Sequence, residues 1–227
     1  MEIDTGLFIV GTPIGNLEDI SIRAINTLKE VDVILAEDTR HTKKLTSKYE
    51  IKTRLISYHK FNEAKKSNQI MEHLKNGKSI AIVSDSGMPN ISDPGGRIID
   101  LCRDENIKIT TIPGPTALTS AISMTGFYKN GFIFSGFLPH KSGGRKKELI
   151  RWSDSDKPII FYESPYRLLK LLNEIEEYLG EETKVFVFRE LTKKFEETLI
   201  GTPSEISNSF QKRTVKGEIV VIIMPKK

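Results

Sequence analysis

The chain has 227 residues, 38% of them hydrophobic, which is enough to bury a core in one large or two small domains without help from disulfides. Its one cysteine, Cys102, excludes an internal bridge, and the opening "MEIDTGLFIV" has no basic region followed by a long apolar one, so neither a signal peptide nor a transmembrane helix is expected and the cytoplasm is the expected location. The net charge of +4 is mild and excludes little by itself; its distribution says more, since residues 1–113 hold 16 Lys or Arg against 16 Asp or Glu and the remainder holds 18 against 14.

The first apolar run, GLFIV (6–10), reads as a strand and meets GTPIGN at once. Gly11 and Gly15 permit backbone angles or close approaches that a side chain forbids, and Pro13 fixes its own φ. Such a corner suits a ligand, although a plain strand-to-helix turn uses the same residues. VDVILA (31–36) reads as the next strand and ends in AEDTRHT, where Glu37, Asp38, Arg40 and His41 crowd together; Asp38 or Thr39 also suits a helix N-cap. From Arg40 to Lys66, nine basic residues face only Glu50 and Glu63. These charges serve a solvated helix face or phosphate contacts, and Tyr49, Tyr58, His59 and Phe61 supply rings that could stack on unpaired bases.

SIAIVS (79–84) reads as a strand leading into VSDSGMPNISDPGG (83–96), a loop with two carboxylates, three glycines and two prolines that reads as a ligand loop. GRIIDLCRDEN is helical and makes Cys102 a buried structural thiol. IKITTI (107–112) is a strand, after which IPGPTAL offers backbone N–H groups and the Thr116 hydroxyl. Pro113, Gly114 and Pro115 interrupt the chain there, which sets the expected domains at 1–113 and 114–227.

GFIFSGF (131–137), PIIFYE (158–163), KVFVF (184–188) and GEIVVIIM (217–224) are the strands of the second half. Between the first two lies a second basic cluster, KSGGRKKELIR (141–151), in which Gly143 and Gly144 would let the chain bend around a nucleic-acid backbone. SPYRLLKLLNEIEEYLG reads as a helix with Ser164 as N-cap, Pro165 at the first helical position and Gly180 as terminator, and TPSEISNSF as one with Thr202, Pro203 and Glu205 in a capping box. The alternation of strands and helices makes this an α/β protein with partly parallel sheets, and two such domains leave a cleft of the kind that binds ligands.

Several common motifs are excluded. GTPIGN lacks the GxGxxG spacing, and NGKS (76–79) follows Glu72 where a phosphate-binding loop needs glycine. His41, His59, His73 and His140 have no metal-ligand spacing, so no metal site is expected. No serine sits in a nucleophile elbow.

Taken in order, TPIGNLEDIS, AEDTRHT, IAIVSDSGMPNISDPG, IPGPTA, SGFLPHK, IIFYESPYRL and RELTKKFEE resemble the motifs of the bacterial 16S ribosomal RNA small subunit methyltransferase I family, within the tetrapyrrole methylase superfamily. The resemblance runs from about Leu7 to Met224. It implies two α/β domains with S-adenosylmethionine bound in the cleft between them, a homodimer, and methylation of the ribose 2′-oxygen of a decoding-site cytidine in 16S ribosomal RNA, carried within the small ribosomal subunit. It also implies cofactor contacts at Ile14, Ser86, Gly87, Met88, Ile91, Thr116, Ala117, Tyr162, Glu163 and Glu197, to which Asp85 is added as a neighbour. Glu37, Asp38, Arg40 and His41 are expected to border the acceptor nucleotide, with a carboxylate or His41 receiving the proton and Arg40 holding a phosphate. Where the family commonly reads SDAGTP, this chain has Ser86 and Met88, so the Met88 backbone rather than its side chain is expected to meet the cofactor. The family's frequent C-terminal extension has no expected counterpart, since the sequence runs to Lys227. A small-molecule methyltransferase of the tetrapyrrole type shares the fold, and the basic stretch argues against it. An RNA-binding relative without cofactor affinity has Met88 as its one hint.

Overall fold

The computed structural model describes residues 3–126, 131–211 and 213–225. The chain divides into two compact units, Met1–Thr116 and Ala117–Lys227.

The first unit runs β1 (Gly6–Val10), α1 (Ile22–Glu30), β2 (Val33–Ala36), α2 (Thr39–Lys48), β3 (Arg54–Ser57), α3 (Glu63–Lys75), β4 (Ser79–Val83), α4 (Gly96–Asp104) and β5 (Ile109–Ile112). Its sheet has the order β3-β2-β4-β1-β5, and every pairing is parallel. Strand alternation feeds two cores. Phe8, Val10, Ile34, Ala36, Ala81 and Val83 pack under α1 and α2 on one face. Leu7, Leu35, Ile80 and Ile82 pack under α3 and α4 on the other, where Cys102 is fully buried. Local signals set the helix starts: the Ser21 hydroxyl accepts from the Ala24 N–H at the head of α1, and the Asp38 carboxylate accepts from the Arg40 N–H at the head of α2.

Neighbouring strands β1 and β4 send their chains in opposite directions, one through α1 toward β2 and the other through α4 toward β5. The two connections cover opposite faces, which leaves a crevice outside the carboxyl ends of β1 and β4.

The second unit holds α5 (Ala117–Ser123), β6 (Ile133–Phe137), α6 (Ser142–Arg151), β7 (Ile159–Glu163), α7 (Leu168–Leu179), β8 (Lys184–Arg189), β9 (Glu197–Gly201), α8 (Pro203–Ser209) and β10 (Ile219–Met224). Its sheet is mixed, in the order β6-β7-β10-β8-β9, with only β6 and β7 parallel. Phe161, Val187 and Val221 meet Leu149, Leu171, Leu172 and Ile206 from α6, α7 and α8 in one core. The capping box of α8 forms as expected, with Thr202 accepting from the Glu205 N–H and Glu205 from the Thr202 N–H.

Four expectations need correction. Strands β3 and β9 were absent from the sequence reading; both lie at sheet edges. Helix α7 begins at Leu168 rather than Pro165, because Ser164 O accepts from both Arg167 N and Leu168 N in a turn that precedes the helix. The second basic cluster forms α6, glycines included, and its Arg145 is buried against Glu174 at 2.6 Å, also reached by the Ser142 hydroxyl, so this arginine is unavailable to phosphates. Tyr58 is 2% exposed with its hydroxyl on Ser67, and so cannot stack on a base. Among the described residues no helix is long and apolar enough to cross a membrane.

Candidate active site

The loops after β1, β4 and β5 meet at the crevice. Thr12 N–H donates to Gly87 O at 2.9 Å and Gly87 N–H donates to Thr12 O at 3.1 Å, an isolated antiparallel bridge between two loops of a parallel sheet. The Thr12 hydroxyl donates to Ser84 O, and the Ser84 hydroxyl donates to Ser86 O. Gly11 N–H donates to Ile112 O at 3.0 Å, which ties in the third loop. A Cβ on Gly11 would stand 2.6 Å from Met88 Sδ and 2.7 Å from the backbone of Gly114, so this glycine is required by close approach. Gly87 has a φ of +81°, and its α-carbon faces Ile14 and the Pro115 to Thr116 backbone. Ile14, Ser86, Gly87, Met88 and Thr116 are thereby brought together, while Ile91 lies exposed farther along the same loop. The Met88 thioether rests beside Gly11, which commits that side chain to packing.

The end of β2 lies beside these loops. Asp38 N–H donates to Asp85 Oδ1 at 3.1 Å, and the Asp85 N–H donates back to Glu37. The two adjacent acids differ in environment. Hydrogen bonds from the Arg40 side chain and backbone, the closest at 2.7 Å, hold the Asp38 carboxyl well below the usual carboxylate range. Burial, reinforced by the Asp93 and Asp85 carboxylates, raises Glu37 from 4.5 to about 7. Asp38 therefore stays ionised as a helix cap, whereas Glu37 changes charge near neutrality. Exposed His41 and Lys44 line a hollow of about 210 Å³ together with Thr12, Pro13, Gly15 and Asp85. Arg40 projects into solvent while paired to Asp38.

The remaining expected residues lie in the second unit. Ala117 opens α5, Tyr162 and Glu163 end β7, and Glu197 opens β9. Glu163 is buried; its Oε1 accepts from Ser164 N–H and the Arg167 guanidinium, both at 2.6 Å, while its Oε2 has no donor among the described residues. Tyr162 meets Phe134 and Phe137 edge-on, with ring centres 5.2 and 5.6 Å apart. Burial pushes Glu197 up, but hydrogen bonds from Arg213 at 2.6 Å and Arg189 at 2.8 Å outweigh it and keep the carboxyl below its usual value.

The sequence reading missed Thr12, Ser84 and Asp93. Thr12 lies inside the GTPIGN turn, where its hydroxyl is legible in the sequence. The effect of Asp93 on Glu37 depends on the fold bringing two distant loops together, and nothing in the sequence signals it. Among the described residues no group of His, Cys, Asp or Glu is arranged to hold a metal ion.

Residues 6–207 match the family model of tetrapyrrole (corrin/porphyrin) methylases. A protein of Thermotoga maritima named ribosomal RNA small subunit methyltransferase I is 49% identical over 97% of this chain and 98% of its own length. The Bacillus subtilis protein of the same name is 45% identical over 96% of this chain and 74% of its own. Among solved structures, diphthine synthase superposes with a TM-score of 0.76 at 14% identity, covering 97% of this chain and 90% of that one. Uroporphyrin-III C-methyltransferase of Thermus thermophilus, complexed with S-adenosyl homocysteine, gives 0.67 at 16% identity, covering 96% of each. At such identities these structures speak to the fold alone. Family model, close relatives and the loop-built crevice agree: the chain belongs to the tetrapyrrole methylases, in the branch whose curated relatives carry the name ribosomal RNA small subunit methyltransferase I.

Proposed function

We propose that this chain uses S-adenosylmethionine to methylate the ribose 2′-oxygen of a decoding-site cytidine in 16S ribosomal RNA, acting in the cytoplasm as a homodimer on the small ribosomal subunit. The names of its close relatives support an RNA substrate. The observation that carries the chemistry is Glu37. A ribose hydroxyl is a poor nucleophile until it loses its proton, and a general base works best when its pKa lies near the working pH, contributing about 10²- to 10⁴-fold. Glu37, at about 7, meets that condition, and the permanently ionised Asp38 beside it does not. Glu37 thus accepts the hydroxyl proton, Asp38 fixes the Arg40 guanidinium, Arg40 holds a phosphate of the substrate, and His41 borders the acceptor nucleotide.

When bound, S-adenosylmethionine supplies an electrophilic methyl group on a positively charged sulfur. Ile14, Asp85, Ser86, Gly87, Met88, Ile91 and Thr116 are the proposed contacts in the first unit, and Ala117, Tyr162, Glu163 and Glu197 in the second. Two observations fit such a ligand. Gly87 is clasped to Thr12 through its own N–H and C=O, which fixes the loop carrying Ser86 and Met88, and the Met88 side chain is already engaged at Gly11. Among the described residues the buried Glu163 Oε2 lacks a donor, which an ammonium or hydroxyl group of the cofactor can provide.

The test is methyl transfer from labelled cofactor to small ribosomal subunits, free 16S RNA and a porphyrin precursor in parallel. The label is expected in RNA, at a ribose whose 3′ phosphodiester resists alkali because its 2′-oxygen is blocked. Label on a base, or on the porphyrin alone, would refute the proposal.

A further inference from the structure

Strand β3 is a free edge of the first sheet, and α2 packs beside it. Between them lies an open hollow of about 530 Å³ whose charged lining, among the described residues, is Arg40, itself paired to Asp38, with Lys43 and Lys52, beside the hydroxyls of Thr39 and Ser47. Helix α2 starts at the carboxyl end of β2, and Lys52 precedes β3. The hollow therefore runs along the sheet edge from Arg40, at the candidate active site, toward the amino ends of the strands.

A second feature stands at its upper end. Strands β2 and β3 pair in register, Ala36 opposite Ser57, and Tyr58 N–H donates to Ala36 O at 2.7 Å. The segments that follow, Glu37–Arg40 and Tyr58–Asn62, consequently rise from strand ends about 4.8 Å apart. On the second of these Phe61 is 94% exposed, its ring meeting, among the described residues, that of His59, edge-on at 6.1 Å. The turn that carries it is braced. Asn62 Oδ1 accepts from His59 N–H at 2.9 Å, Lys66 Nζ donates to Ser57 O at 2.5 Å, and the buried Tyr58 hydroxyl bonds Ser67 at 3.0 Å. A large apolar ring held in water on a rigid support loses little further freedom when a flat partner covers it.

We infer that the edge groove and Phe61 form a track for a single RNA strand, in which Arg40, Lys43 and Lys52 take successive phosphates and Phe61 stacks on an unpaired base next to the nucleotide presented to Glu37. The inference rests on the RNA substrate proposed above. Stacking on an aromatic ring tolerates any base, so Phe61 positions the strand and does not read it.

Fluorescence anisotropy with a labelled single-stranded 12-mer RNA, at several salt concentrations, tests the track alongside methyl-transfer kinetics. Phe61→Ala is expected to weaken RNA binding and raise KM about tenfold, with kcat, cofactor affinity and melting temperature close to those of the unaltered protein. Phe61→Trp is expected to restore binding and to report stacking as quenched emission, against the constant background of buried Trp152. Lys43→Ala combined with Lys52→Ala is expected to reduce the slope of log K against log salt by about 1.4. Unaltered RNA affinity, KM and salt slope in all these variants, in a protein that methylates RNA, would overturn the track alone. An unaltered protein that binds no RNA and transfers methyl only to the porphyrin would overturn the substrate proposal and the track together.

Discussion

Replacing Glu37 with glutamine keeps the size of the side chain and removes its charge. In the native protein this carboxyl titrates at about 7 instead of 4.5, because burial and the neighbouring Asp93 and Asp85 oppose ionisation. The sign follows from linkage: the folded state holds this proton more tightly than the unfolded chain, so stability from the group is complete below about 4.5 and is lost as pH rises to about 7. At 1.36 kcal/mol per unit the interval corresponds to about 3 kcal/mol, which partial solvent access reduces to about 1–2 kcal/mol. Glu37→Gln is therefore expected to match the parent in stability near pH 4 and to exceed it by that amount at pH 8, read by denaturant melts at both pH values. Activity should move the other way. Under single-turnover conditions with saturating cofactor, the parent rate is expected to rise about tenfold per unit below pH 7 and level off above pH 8, as expected for a base titrating at about 7. The variant should lose about 10²- to 10⁴-fold and the limb centred on pH 7, with cofactor binding by calorimetry intact. A variant with near-parent rate, or a parent profile flat from pH 6 to 8, would refute the assignment of Glu37 as the base.

Other residues give sharp tests. Arg145→Ala, which strands the Glu174 carboxylate in the second core, is expected to cost about 3–5 kcal/mol, and the pair Arg145→Met with Glu174→Leu to recover most of it, measured by urea unfolding. Gly11→Ala forces a methyl into Met88 Sδ and the Gly114 backbone; a loss of about 1–3 kcal/mol and weakened cofactor binding are expected, whereas Gly77→Ala, with open space around it, should leave cofactor binding unchanged. The Cys102 thiol is fully buried and pushed up by burial to about 11, so a thiol reagent at pH 8 should label the folded chain far more slowly than the chain in guanidinium, and fast labelling of the native state would contradict the core described.

Six of the strands legible in the sequence, β1, β2, β4, β7, β8 and β10, lie inside their sheets and read as apolar runs, while the edge strands β5 and β6 stand out by the β-branched and aromatic residues of IKITTI and GFIFSGF. Strands β3 and β9 are edge strands too, and they escaped because each is half solvated and carries only two consecutive apolar residues. Arg54 and Ile200 are exposed, and neither RLIS nor ETLIG forms a run that stands out from its surroundings. For the site, glycine and proline marked the corners correctly as places of special backbone, since Gly11 and Gly114 touch. What sequence reasoning could not supply was the division of labour between Glu37 and Asp38. Two neighbouring acids look alike in a string, and only the packing of the Asp85 and Asp93 loop against one, and of Arg40 against the other, separates them. The basic stretches misled for a related reason: Arg145 looked like its solvated neighbours but faces inward to Glu174.

The strand that opens the chain has β4 and β5 as its neighbours, and they begin at residues 79 and 109. On the ribosome, at about 5–20 residues per second, β1 therefore waits roughly 5 to 20 s before both of its edges can be covered. A nascent apolar strand left open for that long is a natural client for a chaperone, and the Thr12–Gly87 clasp can close only once the far half of the same sheet has been synthesised.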